Sequence, residues 1–252
     1  SALACCPDLA SALSGAGSAA RFCESRFSPY MATMSPDDAR HAILDAALSD
    51  AAFDGWTEVM LDKAAQSAGL PKGAPALYFP GGVIDVIEFW SDRMDASARE
   101  KIEALDLGAM KIRDRVTQSV AIRLSEIGRF EEAARRAQAR LSLPDGVGTA
   151  AKITWNAADM IWRAIGDTST DANFYSKRGV LSAVLASTAP IWLSDALPDK
   201  PDARRFLDRR ISNVMQFEKV KAQFRKATAN APNPAEILGS LRYGLPKGGL
   251  PT

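Results

Sequence analysis

Residues 64–83 read AAQSAGLPKGAPALYFPGGV. An alanine-rich helical face (Leu61, Ala64, Ala65, Ala68) stops at Gly69, where only glycine reverses the chain cheaply. Pro71 and Gly73 punctuate the chain before a short element with Pro75 inside it. The aromatic pair Tyr78-Phe79 follows, and Pro80-Gly81-Gly82 separates it from the next helical stripe. The pattern is helix, tight turn, short helix and longer helix, with no alternating strand-like run.

The neighbouring sequence continues in the same period. Upstream, Ser35-Pro36-Asp37-Asp38 predicts a helix start: a capping hydroxyl, proline in the first turn and two acids at the positive dipole end. Thr57 predicts the next cap. Downstream, Val83, Val86, Ile87, Trp90 and Met94 mark one helix, and a joint is expected near 105–108. Ile112, Val116 and Val120 mark another helix, and Phe130, Ala133, Ala134 and Ala137 the next. Leu143-Pro144-Asp145-Gly146 reads as a turn. Ile153, Ala157, Met160 and Ile161 continue to a break at Gly166-Asp167. A long apolar helix over about 171–193 should kink at Pro190, and a last strong helix runs over about 201–226. The fold class is all-α, with a small N-terminal bundle and a larger C-terminal one.

Lysine and arginine number 31 against 30 acidic residues, so no overall field draws the chain to nucleic acid or membrane. No apolar run approaches the roughly 20 residues a spanning helix requires. Cys5, Cys6 and Cys23 cluster near the start without a CxxC spacing, which suggests neither a disulfide framework nor a thiolate metal site. Residues 1–34 are rich in alanine and serine and lack a hydrophobic period. Two readings are open: upstream sequence preceding a true start at Met31 or Met34, or a targeting segment weakly supplied with arginine. The region after Ala229, rich in proline and glycine, is expected to be a flexible tail with one docking turn at Ile237, Leu238, Leu241 and Leu245.

The segment quoted first resembles the helix-turn-helix of TetR-type regulators, with Ala68-Gly69-Leu70 at the turn and Tyr78-Phe79 as the aromatic pair. It departs from them in charge. A reading helix brings donors to base edges and cations to phosphates, yet between Leu70 and Val83 only Lys72 is charged. A TetR-like frame without nucleic-acid binding is the expectation. A ligand-responsive repressor is the alternative.

Two further stretches, AADMIWRAIGDTSTDANFYSKR (157–178) and FLDRRISNVMQFEK (206–219), resemble the accessory lipid-binding family of ubiquinone (coenzyme Q) biosynthesis. The similarity covers roughly 36–226. That resemblance implies an isoprenoid lipid or quinone precursor in the C-terminal domain and a partner hydroxylase docked on a surface patch. It also implies a C-terminal amphipathic helix at a phospholipid membrane and a homodimer. On this chain the implied patch is Thr168, Asp171, Asn173, Phe174, Tyr175, Lys177 and Arg178. Ala172 stands where a bulkier residue is common in the family. The expected site is the cytoplasmic face of a bacterial inner membrane, or the matrix side of the mitochondrial one.

The residues themselves admit both a plain and a functional reading. Asp167, Thr168, Ser169 and Asp171 are capping types, so the cluster could be a helix start alone. Adjacent Phe174 and Tyr175 cannot both face one core, however, and aromatics beside Lys177 and Arg178 have the make-up of an interface hot spot. The candidate lipid-binding residues are Ile153, Met160, Ile161, Trp162, Val180, Leu181, Val184, Leu185, Trp192, Leu207 and Ile211. A dry, filled core would use the same side chains. Small residues Gly179, Ser182, Ala183, Ala186 and Ser187 would leave space between helices for a tail. On the last helix, Ile211, Val214, Phe217, Lys219, Val220, Lys221, Phe224 and Arg225 are the candidate membrane contacts. Between Arg204 and Lys226, eight basic residues stand against two acids, which suits an anionic surface.

No catalytic set is legible. His41 is the single histidine, no cysteine falls in the expected core, and no glycine-rich phosphate loop follows a strand. The expectation is a non-enzyme without cofactor or metal. Its domains are 35–105 (helix-turn-helix), 106–200 (lipid-binding), 201–226 (amphipathic helix) and 227–252 (tail).

Overall fold

The computed structural model describes residues 34–228 except 171. For residues 172 and 217–228 it describes the helix and not the side chains. The described residues form helices and no strand. In order they are α1 (Pro36–Asp54), α2 (Glu58–Ser67), α3 (Ala74–Tyr78), α4 (Val83–Glu103), a single 3₁₀ turn (Leu107–Ala109), α5 (Ile112–Ser125), α6 (Glu131–Leu141), α7 (Val147–Ala164), α8 (Ala172–Ser194) and α9 (Pro201–Thr228).

The chain divides into two compact units between Val86 and Ile87, inside α4. The joint expected near 105 appears as the end of α4 and the 3₁₀ turn.

In the first unit α1 packs on α2 and α3. The Ser35 hydroxyl accepts from the Asp38 N–H at 3.1 Å, and the Asp38 carboxylate accepts in return from the Ser35 N–H. Thr57 accepts from the Met60 N–H at 3.2 Å and caps α2. Pro75 does not interrupt a helix: α3 begins at Ala74, so the ring sits in the first turn, where no intrahelical N–H is lost. His41 is exposed on α1.

In the second unit α7 and α8 form the most extensive pair, and α9 lies along α8 and α5. Pro190 remains within α8, where it leaves the Ala186 carbonyl without its usual helical donor. The α6–α7 turn makes one very close approach. A Cβ at Gly146 would lie 2.7 Å from the Cα of Leu141, so only glycine fits.

Candidate functional site: an apolar cavity and an adjoining ion-paired patch

A cavity of about 420 Å³ lies within the second unit, walled by α4 to α8. That volume falls in the range of small-ligand sites. Ile87, Trp90 and Met94 come from α4, Leu124 from α5, Ile127 from the turn after it, and Ala134, Ala137 and Leu141 from α6. Ile153 and Ala157 come from α7, and Leu185, Ala186, Ala189, Pro190 and Leu193 from α8. Val147, at the start of α7, lines the cavity yet is 54% exposed, which marks a mouth beside the α6–α7 turn.

One charged side chain stands in this apolar wall. Arg123 is 6% exposed. Its Nε donates to the Asp95 carboxylate, and one terminal nitrogen donates to the Ser91 Oγ at 2.8 Å. Burial pushes the Asp95 carboxyl up from its ordinary value, against the pull of Arg123. Asp95 also borders a polar cleft of about 340 Å³ with Asp92, Arg99, Asn156, Asp159 and Arg163.

A second apolar cavity, of about 240 Å³, lies where α5, α7, α8 and α9 meet. Ile112, Val116, Trp162, Val180, Leu181, Val184, Ile211, Val214 and Met215 line it, beside Asn173, Ser176 and Lys177.

The candidate lipid residues therefore separate. Ile153 and Leu185 line the larger cavity, and Trp162, Val180, Leu181, Val184 and Ile211 the smaller. Met160 borders the polar cleft, while Ile161, Trp192 and Leu207 are buried in helix packing. Sequence reasoning did not single out the contributions of α4, α5 and α6. The available signal was the small pair Ala134 and Ala137 on one face of α6, together with Arg123 beside the apolar stripe Val116, Val120 and Leu124 of α5.

The patch around the start of α8 has an inner and an outer layer. Arg178 is 1% exposed. Its Nε donates to Asp159 at 2.5 Å, a terminal nitrogen reaches Asp167 at 3.4 Å, and the guanidinium lies 3.5 Å from the centre of the Phe174 ring. Lys177 donates to Asp167 at 2.6 Å and to the Ser169 hydroxyl at 2.7 Å. Both cations thus hold the 166–169 segment onto α8. Burial raises the Asp167 carboxyl, but Lys177, Ser169 and Arg178 outweigh it and hold the group below its ordinary value. The outer layer is aromatic. Tyr175 is 66% exposed, stacks near Trp155 at 6.3 Å and meets Phe174 edge-on at 5.1 Å. Thr168 and Asn173 are exposed beside it, and Asp171 lies outside the described residues.

On α9, Ile211 is 4% exposed and Val214 half-buried, both within the bundle. The side chains of Phe217, Lys219, Val220, Lys221, Phe224 and Arg225 lie outside those described, as does the expected tail beyond residue 228. Among the described residues no helix is long and apolar enough to cross a membrane, and no cluster of three or more His, Cys, Asp or Glu could hold a metal.

In the first unit, the exposed residues of α3 are Ala76 and Leu77. A helix N-terminus is where a phosphate would find free N–H groups. At α4 the Val83 N–H already donates to Glu58 at 3.1 Å, and the preceding Gly81 N–H donates to Asp85 at 2.6 Å.

Comparison with known proteins gives three results. Residues 147–218 match the family model described as COQ9. That stretch holds α7, α8 and most of α9, hence part of the cavity wall and the whole patch. The chain is 30% identical over 203 residues to "Ubiquinone biosynthesis protein COQ9, mitochondrial" of Rattus norvegicus, covering 78% of this chain and 65% of the rat protein. It is 29% identical to the Homo sapiens protein of the same name, covering 78% and 64%. The chain therefore spans just under two thirds of these relatives. Among solved structures, a TetR transcriptional regulator from Nitrosomonas europaea ATCC 19718 superposes with a TM-score of 0.55 at 20% identity, covering 69% of this chain and 95% of that one. The likeness establishes a TetR-like helical fold.

Proposed function

We propose, from its likeness to the COQ9 proteins, that this chain is a lipid-binding accessory protein of ubiquinone biosynthesis. It takes an isoprenoid lipid or quinone precursor into the apolar cavity and presents it to a hydroxylase docked on the patch around Tyr175. The observation that carries this reading is the roughly 420 Å³ apolar cavity with a mouth beside Val147. Apolar walls reward an apolar tail by removing its surface from water, at about 25 cal/mol per Å².

The patch supports the partner role. An exposed aromatic cluster on a base of buried ion pairs is a rigid anchor, and rigid aromatic anchors dominate interface energetics. The basic α9 suits the surface of an inner membrane, on the cytoplasmic side in a bacterium or the matrix side in a mitochondrion. A homodimer through α8 and α9 completes the reading. The face formed by Val180, Ala183, Val184, Ser187, Asn213 and Val214, beside Arg210, includes the small side chains Ala183 and Ser187 that close helix packing requires.

Among the described residues of the first unit, nothing favours operator binding. The exposed residues of α3 carry no charge, and the Gly81 and Val83 N–H groups at the α4 start already donate to carboxylates.

Deleting the gene in its source organism should lower ubiquinone and accumulate a precursor lacking a late ring hydroxyl. The wild-type chain should restore ubiquinone, and a Leu185→Trp chain, its cavity filled, should not. Unchanged ubiquinone in the deletion would instead favour a general lipid carrier.

A further inference from the structure

Arg123 has more hydrogen-bonding capacity than its protein neighbours use. A guanidinium carries five N–H donors. Nε is taken by Asp95, and one terminal nitrogen by the Ser91 Oγ at 2.8 Å and the Ser91 carbonyl at 3.4 Å. The other terminal nitrogen carries two N–H groups. Its acceptor among the described residues is the Met94 thioether at 3.6 Å, and sulfur accepts weakly. Buried donors are normally satisfied by strong acceptors. This one lies in the wall of an apolar cavity, where Trp90, Leu124 and Leu185 offer none.

From this geometry we propose that Arg123 is the headgroup anchor of the cavity, selecting an amphiphile with a neutral oxygen acceptor, such as a ring carbonyl, on an apolar tail. The proposal rests on the reading of the cavity as a lipid site and adds the chemistry of the head. Charge decides between a neutral head and an anionic one. Asp95 already neutralises Arg123, so a carboxylate or phosphate would put a second negative charge beside the same guanidinium, away from water. A carbonyl oxygen brings an acceptor without that repulsion. Ser91 and Asp95 hold the guanidinium in place, so little ordering remains to be done when the head arrives.

The test uses the full chain, stripped of lipid, at pH 7, and calorimetric titration with three probes whose apolar tails have nine or ten carbons: decyl-benzoquinone, decylbenzene and decanoate. A hydrogen bond to a charged donor predicts that the quinone binds about tenfold or more tighter than decylbenzene. Decanoate should bind more weakly than the quinone. In an Arg123→Leu/Asp95→Leu double variant, which removes both charges together and so leaves no buried lone ion, decylbenzene binding should persist while the quinone's advantage disappears. Arg123→Lys, which keeps the charge but loses the planar fork, should reduce that advantage and provides the comparison if the double variant does not fold. A quinone advantage that survives in the double variant, or in Arg123→Lys where that comparison is used, would overturn the assignment, as would decanoate binding tightest. Decylbenzene binding without any quinone preference would sink the anchor and leave the lipid cavity standing. No binding by any probe would sink both.

Discussion

Arg178 and Tyr175 are nearly one helical turn apart on α8, yet they do different work. Arg178 is buried and satisfied by Asp159, Asp167 and the Phe174 ring, so it holds the patch together rather than meeting a partner. Tyr175 is exposed and stands on that base. Arg178→Ala removes the buried guanidinium from between Asp159 and Asp167, which keep Arg163 and Lys177 as partners, and losing hydrogen bonds to charged groups typically costs about 1.5–3 kcal/mol. Tyr175→Ala removes exposed surface and should leave stability nearly unchanged while weakening hydroxylase capture roughly tenfold or more. Urea unfolding and a pull-down on the two variants check this: stability should separate from capture. Equal loss of stability in both would contradict the two-layer reading. The aromatic pair and its basic neighbours were legible from adjacency in the sequence. That Arg178 turns inward was not, because its partner Asp159 lies on another helix.

At the scale of elements, local signals carried the helix starts and long-range ones carried the joints. Ser35 and Thr57 cap helices through bonds to the third residue on, which a sequence displays directly. The α8–α9 corner works differently. The Asp195 carboxylate accepts from the Asp202 N–H at 2.8 Å and the Ala203 N–H at 3.2 Å, and so caps α9 from the end of α8. Lys200, in the left-handed region at φ 50°, sends its Nζ back to the Asp195 carbonyl and to Glu131, each at 2.6 Å. Burial raises the Asp195 carboxyl, but the Ala203, Leu197 and Asp202 N–H groups, with Lys200, hold it below its ordinary value. A depressed carboxyl contributes stability above its unfolded-state pKa. That stability is lost as pH falls from about the ordinary aspartate value through the lower folded one. Asp195→Ala should therefore lower the urea midpoint at pH 7 and flatten the acid limb of the stability curve, as urea melts across pH 2.5–7 would show. An unchanged acid limb would show that the corner is held by packing alone.

For the whole molecule, the helical period and turn residues were sufficient to give an all-α fold, because each helix shows its buried stripe locally, while the TetR-like arrangement was what the resemblance of residues 64–83 implied. The cavity was only partly legible. Ile153 and Leu185 were identified on α7 and α8, but a void is a property of the five helices around it, and no single stripe reports the space left between them. Arg123 was missed for a related reason: on one helix it looks like a charge on a solvated face, and only the packing of α4 onto α5 encloses it with Ser91 and Asp95.

The central claim is that this cavity holds lipid. It is tested most directly by mass spectrometry of lipid extracted from the purified protein, beside a Leu185→Trp variant. An isoprenoid or quinone-like lipid near one per chain, lost in the variant with the fold intact by circular dichroism, is the predicted result. A wild-type protein that carries no lipid and takes up none when incubated with quinone-containing vesicles would contradict the account.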